Sequence, residues 1–451
     1  MVSDNKDTIV AQATPPGRGG VGIIRVSGPL ASKIAETITG KKLKPRFADY
    51  LAFKNQNQEI VDYGIAIFFK SPHSFTGEDV VELQGHGGPM VMDAIMQACL
   101  FAGARVARPG EFSQQAFLNN KLDLSQAEAI ADLINASTQA AANSALHSLQ
   151  GEFSKKINQL LQQMIHLRMY VESALDFPEE EIDFLADDQI TQQLDNIKNE
   201  LKNIFQTAKQ GRLLNEGMTL LILGKPNAGK SSLLNALSET DSAIVTDIAG
   251  TTRDILRESI QIDGMPLHIV DTAGLRDATD AVEQEGVRRA LLQAEKADHI
   301  ILLIDEQDQV ERTLQELESR LPANNQYTVV LNKCDLVNKT PSELQINNHQ
   351  AIRLSAHTGQ GLAILKNHLK KIMGFQEGAE SQFMARRRHL DALQRSSECV
   401  QRGEQQLKVN QAGELLAEEL RLAQESLGEI TGEFHNDDLL GKIFSEFCIG
   451  K

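Results

Sequence analysis

The feature that most restricts the fold is a motif near the middle of the chain. Residues 224–231 read GKPNAGKS and match G-x-x-x-x-G-K-[ST], after an apolar run at 220–223 and before a helical run at 232–237. The glycines let backbone N–H groups turn inward around phosphate, and the helix N-terminus adds positive potential. We expect Lys230 to reach the β- and γ-phosphates and Ser231 to ligate Mg²⁺. The motif therefore predicts a P-loop domain that binds a nucleoside triphosphate.

Short apolar strands alternate with helical segments around this motif. The predicted strands are residues 220–223, 268–270, 299–304 and 328–331. This alternation is typical of a parallel sheet built from βαβ units, with helices on both faces. We place this inserted P-loop domain at residues 216–375.

The sequence on either side of this domain shows two other patterns. Residues 1–118 mix short apolar runs with Gly/Pro turns, which indicates an α+β domain. Residues 119–215 and 376–451 are helical in pattern, and the second stretch is short for an independent core. We therefore predict that both stretches form one discontinuous all-α domain, which makes the chain a multidomain α/β protein of three domains.

Apolar spacing of three or four residues predicts the buried faces of the helical domain. In the first stretch, one amphipathic helix is predicted to bury Leu146, Leu149, Phe153, Ile157, Leu160 and Met164. In the second, Leu416, Leu420 and Leu427 form one stripe.

Four further motifs follow the P-loop in the order that a guanine-nucleotide site requires. They are Gly250-Thr251-Thr252-Arg253-Asp254, Asp271-Thr272-Ala273-Gly274, Asn332-Lys333-Cys334-Asp335 and Ser355-Ala356. A threonine hydroxyl of the first can complete the Mg²⁺ shell, and Gly274 can offer its N–H to the γ-phosphate. The Asp335 carboxylate accepts from guanine N1–H and the exocyclic amine, whereas adenine would leave it unpaired. The set predicts GTP rather than ATP.

The predicted contacts with GTP come from all five motifs and the loop before the first threonine. They are Asn227, Ala228, Gly229, Lys230, Ser231, Ser232, Thr246, Asp247, Ile248, Ala249, Gly250, Thr251, Thr252, Asp271, Thr272, Ala273, Gly274, Asn332, Lys333, Asp335, Ser355 and Ala356.

The group that orients the attacking water is not the glutamine found in many small GTPases, because Leu275 follows the Asp-x-x-Gly glycine. Glu283 is a candidate for this task, and a solvated acid at a helix start is the alternative. The transition state also needs positive charge. A monovalent cation beside Asn227 and the carbonyls of residues 245–251, or the side chains of Arg253 or Arg276, can supply it, and the residues alone do not rank these options.

Composition limits the compartment and the partners. Among 451 residues, 61 are acidic and 45 are Lys or Arg, so contact with a polyanion must be local or shared with another subunit. The four cysteines are scattered with no CxxC pair, which favours a reducing compartment over a disulfide framework or zinc site. No apolar run reaches membrane-spanning length, so we expect a cytoplasmic protein without a membrane partner.

Two glycine-rich runs invite other interpretations. Residues 17–22 fit the dinucleotide pattern G-x-G-x-x-G, but the β-rich run 23–26 follows instead of a helix, so we predict a tight glycine turn. Residues 85–88, Gly-His-Gly-Gly, resemble an oxyanion loop, but no catalytic triad is indicated nearby and a turn is predicted.

Distinctive runs are spread over the whole chain. They are ATPPGRGGVG at 13–22, SFTGED at 74–79, GHGG at 85–88, RPGEF at 108–112, FLN at 117–119, KLDL at 121–124, DIAGTTRD at 247–254 and FCIGK at 447–451. On these runs the chain resembles, from end to end, the tRNA-modification GTPase family MnmE, also called TrmE.

The resemblance implies a homodimer formed through the N-terminal domains, each holding 5-formyl- or 5,10-methylene-tetrahydrofolate. It also implies potassium-activated GTP hydrolysis, with potassium replacing an arginine finger. With an FAD-containing partner of the MnmG family, such a protein adds an aminomethyl or carboxymethylaminomethyl group to carbon five of the wobble uridine of certain tRNAs. An acidic chain fits a partner that supplies much of the tRNA-binding surface.

Residue roles carry over by motif position. The resemblance implies folate contacts from Arg25, Glu82, Lys121 and Lys451; potassium ligands Asn227, Thr246, Ile248 and Thr251; Mg²⁺ ligands Ser231 and Thr252; and a catalytic acid, Glu283. A free thiol at Cys448 is a candidate catalyst, with an inert small apolar residue as the alternative. A ribosome-assembly or RNA-binding switch GTPase without modification chemistry is the rival function, and it would need neither the folate-like domain nor Cys448.

Overall fold

The computed structural model describes residues 7–176, 188–240, 257–262, 265–271, 297–319, 321, 326–347, 349–374, 383–433, 437–445, 447 and 450. The chain divides into two compact units. The first comprises Met1–Ala131, Leu149–Leu194 and Arg395–Lys451, and the second comprises Asp132–Ser148 and Asp195–Gln394.

The first unit contains a six-stranded sheet with two helices on one face. Its strands are β1 (Ile9–Gln12), β2 (Gly19–Ser27), β3 (Asp49–Lys54), β4 (Ile60–Phe69), β5 (Val80–Gly87) and β6 (Arg105–Val106), in the order β3-β4-β5-β2-β1-β6. Only the β1–β6 pairing is parallel among these. Helices α1 (Ala31–Thr39) and α2 (Pro89–Phe101) bury Ile24, Phe53 and Leu83 beneath them. The predicted α+β domain is confirmed.

Residues 19–22 and 85–87, which make up most of the two glycine-rich runs, lie in the paired strands β2 and β5, so the turns predicted for residues 17–22 and 85–88 are wrong. Gly19 pairs with Gly87 and Gly22 pairs with Gly85 across β2 and β5. A Cβ on Gly87 would lie 2.7 Å from the carbonyl oxygen of Val21, too close for any side chain. Glycine is needed here for close approach of two backbones rather than for a change of chain direction.

Helices make up most of the remaining first unit and part of the second. They are α3 (Glu111–Leu118), α4 (Leu124–Asn135), α5 (Gln139–Leu149), α6 (Glu152–Asp176), α7 (Asp188–Glu216), and, after the inserted domain, α11 (Arg387–Asn410), α12 (Gly413–Thr431) and α13 (Asp437–Ser445). Helix α6 packs against α12, and Arg168 Nη1 donates to Gln424 Oε1 at 3.0 Å. The early and late helical stretches therefore meet in one discontinuous domain.

The predicted continuous helix through residues 146–164 is wrong at one position. The chain breaks at Gly151, where φ is +87°, and α5 and α6 are separate helices. Leu146 consequently leaves the common face and is 42% exposed, whereas the four predicted residues in α6 are fully buried. The stripe of Leu416, Leu420 and Leu427 is confirmed. Across the described ranges, no helix has both the length and the apolar character needed to cross a bilayer.

The second unit is built on a seven-stranded sheet with helices on both faces. Its strands are β7 (Met218–Gly224), β8 (Arg257–Ile262), β9 (Met265–Asp271), β10 (His299–Asp305), β11 (Tyr327–Asn332), β12 (Ser342–Ile346) and β13 (His349–Arg353), in the order β12-β13-β11-β10-β7-β9-β8. The five central strands are parallel, and β8 and β12 add antiparallel edges that the apolar pattern did not indicate.

Alternate residues of the parallel strands enter two separate cores. Ile222 and Ile301 pack with helices α8 (Lys230–Thr240) and α10 (Leu362–Met373) on one face. Leu221 and Ile300 pack with α9 (Val310–Glu318) on the other. Burial on both faces explains why these strands read as continuous apolar runs. The sheet brings the carboxyl ends of β7, β9, β10 and β11 to one edge.

Candidate functional site

The P-loop leaves the carboxyl end of β7 and returns as the first turn of α8. Asn227 and Gly229 have φ values of +64° and +98°, which curl the loop. Gly224 lies so close to β10 that a Cβ would be 2.4 Å from the Leu303 carbonyl oxygen. Lys230 Nζ donates to the carbonyls of Gly224 at 2.8 Å and Lys225 at 3.0 Å, so the lysine lies inside the loop.

The buried amide of Asn332, at the end of β11, braces the loops of this edge. Its Nδ2 donates to the Ala228 carbonyl at 2.9 Å, and its Oδ1 accepts from the Ala356 N–H at 2.9 Å. A Cβ on Gly229 would lie 2.2 Å from Asn332 Nδ2, so the P-loop glycine makes room for the brace. Sequence reasoning assigned Asn332 to the nucleotide but missed this bridge, because no local pattern indicates it.

Asp335 lies on a short 3₁₀ turn, Cys334–Val337, directly after β11. Its Oδ1 atom is buried and has no hydrogen-bond partner within the part of the chain that the structure describes. A buried carboxylate oxygen left unpaired is costly, which is typical of an atom that awaits a donor from a ligand. Its neighbour Lys333 instead pairs with Asp305 Oδ2 at 2.6 Å.

A second ion cluster supports the same loop. Glu306 Oε1 pairs with Arg353 Nε at 2.6 Å and Lys339 Nζ at 3.2 Å, and its backbone N–H donates to the Asn332 carbonyl at 3.0 Å. Arg353 ends β13, two residues before Ser355, whose backbone N–H donates to the Gln360 carbonyl at 2.9 Å. None of the residues Asp305, Glu306 and Arg353 was predicted, because none belongs to a motif and only the fold places them beside Asn332-Lys333-Cys334-Asp335.

The remaining predicted nucleotide and catalytic residues divide into two groups. Ser231 and Ser232 lie in the first turn of α8, and Asp271 is the last residue of β9. Outside the described residues are Thr246, Asp247, Ile248, Ala249, Gly250, Thr251, Thr252, Arg253, Thr272, Ala273, Gly274, Arg276, Glu283, Cys448 and Lys451.

A second polar site lies on the first unit's sheet, on the face away from α1 and α2. Arg25 and Glu82 are direct partners across β2 and β5, and Arg25 Nε and Nη2 donate to Glu82 Oε1 at 3.0 and 2.9 Å. The guanidinium carbon lies 5.6 Å from the Phe75 ring centre and 5.8 Å from that of Phe112. Arg25 Nη1 also donates to the Gly450 carbonyl at 3.4 Å.

Lys121 lies against the same loop that carries Phe75. A Cβ on Gly77 would be 3.3 Å from Lys121 Cγ, and Asn119 Nδ2 donates to the Thr76 carbonyl at 2.7 Å. The loop thus links Arg25 and Lys121, two residues that the sequence assigned to one site. Sequence reasoning did not assign Phe75 and Phe112 to this polar site, although Phe75 lies in the run SFTGED and Phe112 lies in the run RPGEF.

Two family models match the chain. The model described as "GTP-binding protein TrmE N-terminus" matches residues 8–121, and the one described as "MnmE helical domain" matches residues 124–448. The tRNA modification GTPase MnmE of Haemophilus influenzae is 60% identical over 451 residues, covering 99% of this chain and 100% of that protein. The protein of the same name from Vibrio cholerae is 59% identical over 450 residues, covering 99% of each.

Among solved structures, the G domain of the T. maritima FeoB iron transporter is 23% identical. The aligned region covers 34% of this chain and 98% of the FeoB chain, with a TM-score of 0.27. A likeness at this score adds nothing to the assignment of fold or function.

Proposed function

The chain belongs to the MnmE (TrmE) family of tRNA modification GTPases, and we propose that its GTP site is the sheet edge formed by residues 224–232, 332–335 and 355–356. One observation carries this proposal: the Asn332 amide joins the phosphate loop to the 355–356 loop, while the neighbouring Asp335 presents a buried oxygen that has no partner among the described residues. Guanine offers two donors to a carboxylate, its N1–H and its 2-amino group, and adenine has neither of them.

The residues of the P-loop fit a triphosphate and its cations. Lys230 already lies among loop carbonyls, so its ammonium can turn to the β- and γ-phosphates without leaving the loop. Ser231 offers a hydroxyl oxygen to Mg²⁺, and the Asn227 amide oxygen, on a residue with φ of +64°, suits a monovalent cation. When bound, Mg²⁺ and K⁺ supply positive charge near the oxygens on which negative charge develops.

Water attacks the γ-phosphate in line, and we assign its orientation to Glu283. Thr246, Ile248 and Thr251 are the further proposed potassium ligands, and Thr252 completes the Mg²⁺ set. Arg253 and Arg276 remain alternative sources of positive charge. These residues lie outside the described ranges, so the proposal for them rests on motif position within the family.

Turnover of GTP in potassium and in sodium at equal ionic strength tests this proposal. We expect faster hydrolysis in potassium, and we expect Asn227→Ala to remove most of that difference because it deletes a side-chain oxygen ligand. Equal rates of the unaltered protein in the two salts would exclude the potassium site, and failure to retain GTP with Mg²⁺ would exclude the nucleotide site.

The Arg25–Glu82 pair is our proposed site for tetrahydrofolate, with Lys121 and Lys451 as further contacts. Two aromatic rings beside a half-buried guanidinium give a site that combines flat apolar surface with charge. Glu82 can accept from N–H groups of a pterin, and the three cations can pair with carboxylates. Tetrahydrofolate supplies a one-carbon unit that protein side chains lack.

Titration with 5-formyl-tetrahydrofolate tests this second site. Arg25→Ala should abolish binding, while Arg46→Ala, which removes an exposed guanidinium bound to the His73 carbonyl, should leave it unchanged. Absence of binding by the unaltered protein would instead favour a GTPase switch without modification chemistry.

We propose that the chain works as a homodimer through its N-terminal domain. Tyr50 and Tyr63 stack on the outer face of β3 and β4 with ring centres 6.3 Å apart, and Ile65 lies exposed beside them. An exposed apolar face with 70% of Tyr50 accessible fits burial against a second copy. Replacing both tyrosines with aspartate should give monomers by light scattering, and an unchanged mass would move the interface elsewhere.

The modification itself is proposed to need an FAD-containing MnmG-family partner, with tRNA as substrate and Cys448 as a candidate catalyst. Capture of a flavoprotein by the purified chain, followed by modification of tRNA in the reconstituted complex, tests this arrangement. Retained modification by Cys448→Ala would remove the thiol from the chemistry.

A further inference from the structure

A row of positive charge lies along the edge strand of the first unit's sheet, and neither nucleotide nor folate binding accounts for it. Residues 40–54 comprise the connection from α1 and the whole of β3, and they carry five cations and one carboxylate, a net charge of +4. The full chain has a net charge of −16, so a polyanion needs a local basic surface of this kind. The cations are Lys41, Lys42, Lys44, Arg46 and Lys54.

The connection between α1 and β3 is held so that its lysines face outward. Gly40 ends α1 with φ of +71°, and the Leu43 side chain is buried in the core between the sheet and its helices. Lys42 and Lys44 flank Leu43 and are both exposed. One buried leucine therefore fixes the position of two exposed ammonium groups.

Backbone contacts fix the second half of the connection against the turn that follows β4. The Arg46 N–H donates to the Phe68 carbonyl at 2.7 Å, and Arg46 Nη2 donates to the His73 carbonyl at 2.9 Å. Lys70 lies in the same turn and is exposed. The Arg46 guanidinium thus serves to hold two loops together, and Lys70 adds a cation beside them.

Lys54 extends the row to the other end of β3. A Cβ on Gly40 would lie 3.8 Å from Lys54 Nζ, so this ammonium group lies beside the end of α1. Strand β3 is at the edge of its sheet. The residues from Asp49 to Lys54 span about 17 Å at about 3.3 Å per residue. The row therefore follows the whole length of the edge strand.

Carboxylates near the row are already bound within the protein. Asp49 pairs with Lys41 at 2.6 Å and has a side chain only 9% exposed, and Asp79 accepts from the Ser71 N–H at 2.9 Å. Three exposed lysines of the row make no ion pair with any residue in the described ranges: Lys42, Lys44 and Lys70. Their charge is therefore available to an anion outside the chain.

An exposed aromatic residue lies within the row. Phe47 is 56% exposed, and its N–H donates to the Lys44 carbonyl at 3.3 Å, which places it one turn from the exposed lysines. Cations interleaved with an aromatic ring are typical of surfaces that bind single-stranded nucleic acid, where phosphates pair with the cations and a base stacks on the ring. Recognition of carboxylates on a protein more often uses the planar arginine fork. The row therefore fits RNA better than an acidic protein.

We propose that this basic edge, formed by Lys42, Lys44, Phe47, Lys54 and Lys70, binds an unpaired stretch of RNA. The choice of tRNA as that RNA rests on the proposed function, whereas contact with RNA phosphates does not. Phosphate contacts fix position but carry no sequence information. The basic edge thus holds the tRNA in place, and its bases are read elsewhere.

Lysines beside an edge strand also have a purely structural use, because charge there prevents pairing with another sheet. Glutamate at the same positions would serve that use equally well, since either sign of charge opposes such pairing. Glutamate would repel phosphate, however. Reversal of the charge therefore separates RNA binding from protection of the edge.

Fluorescence anisotropy of a fluorescein-labelled tRNA transcript, titrated with the full chain at several salt concentrations, tests the proposal. Lys42→Glu combined with Lys44→Glu should raise the Kd at least about tenfold. The slope of log Kd against log salt concentration should fall by about 1.4, because each lost phosphate contact on a single strand contributes about 0.7. Phe47→Ala should raise the Kd about fivefold without changing the slope, because it removes stacking but no charge.

The matched control reverses two lysines elsewhere. Lys202 and Lys209 are exposed on α7, and Lys202→Glu combined with Lys209→Glu changes the total charge by the same amount. This variant should bind tRNA with the Kd and the salt slope of the unaltered protein. If the charge reversal at residues 42 and 44 does not fold, Lys42→Gln combined with Lys44→Gln gives the same test with a smaller effect.

A Kd and a slope equal to those of the control variant would overturn the proposal, as would failure of the unaltered protein to bind tRNA. Loss of flavoprotein capture with intact tRNA binding would assign the basic edge to a protein partner and also overturn it.

GTP turnover and tRNA modification by the reconstituted complex, measured on the same preparations, report separately on the proposed function. Normal turnover and modification with unchanged tRNA affinity in the variant would refute the basic edge alone. Weakened tRNA binding in the variant, when the complex of the unaltered protein modifies no tRNA, would support the basic edge and remove the proposed modification.

Discussion

Replacing Asn332 with alanine removes the brace between the phosphate loop and the loop over the base. The change leaves the Ala228 carbonyl and the Ala356 N–H without their partner, both in buried surroundings. Each unpaired buried group costs about 1–3 kcal/mol, so two groups cost at least about 2 kcal/mol. Because the free loops can relax but the nucleotide-bound loops cannot, we expect this cost to appear in binding as a Kd for GDP raised at least about 30-fold.

Equilibrium titration with a fluorescent GDP analogue measures this loss. Asn367→Ala is the matched control, because Asn367 is an exposed asparagine on α10 of the same unit. It should bind as tightly as the unaltered protein. Circular dichroism and a thermal melt establish that both variants remain folded.

The geometry also predicts how two variants combine. Gly229→Ala alone places a Cβ 2.2 Å from Asn332 Nδ2, and we expect it to weaken binding strongly. With alanine at position 332 that clash is absent, so Gly229→Ala should cost less in the double variant than alone. A folded Asn332→Ala protein whose Kd stays within about threefold of the original, or strict additivity of the two changes, would refute the brace.

Three further outcomes follow. Asp335→Asn should shift preference from GTP toward xanthosine triphosphate, since its carboxylate oxygen accepts from the base; retained guanine selectivity in competition binding contradicts this role. Glu283→Ala should keep GTP affinity but lose hydrolysis in a phosphate-release assay, and unchanged turnover removes Glu283 from the mechanism. Burial, with repulsion from His368, lowers the pKa of His299 from 6.5 to about 4. Neutral His299 therefore makes its full contribution to the free energy of unfolding above about pH 6.5. As the pH falls from 6.5 toward 4, the free energy of unfolding decreases by about 3 kcal/mol, at roughly 1.4 kcal/mol per pH unit, because the unfolded chain binds the proton more readily. Urea unfolding between pH 7 and 4 measures this slope, which His299→Gln should flatten.

The nucleotide site could be predicted from sequence because its signals are local. A P-loop needs a strand, a glycine turn and a helix in immediate succession, and residues 218–240 encode all three. The same holds for Asp335, which follows its strand by three residues. Spacing along the chain sets geometry whenever the contacts lie within one turn or one strand end.

Local pattern misled where glycine had two possible uses. The runs at 17–22 and 85–88 look like turns, but Gly19 and Gly22 face Gly87 and Gly85 across paired strands. Gly151 shows the opposite case: the apolar spacing predicts a continuous helix through it, but the chain breaks there. Nothing within a short window distinguishes a glycine that turns the chain from one that admits a neighbouring backbone.

The sequence alone determined the family, the order of the guanine-nucleotide motifs and the three-part α/β organisation. The packed structure was needed to show that Asn332 joins two loops, that two phenylalanine rings lie beside Arg25, and that the Gly450 carbonyl accepts a hydrogen bond from the same arginine. These contacts join residues far apart along the chain, and their geometry depends on how whole sheets and helices pack. No short pattern records that packing, so residue type and spacing cannot supply it.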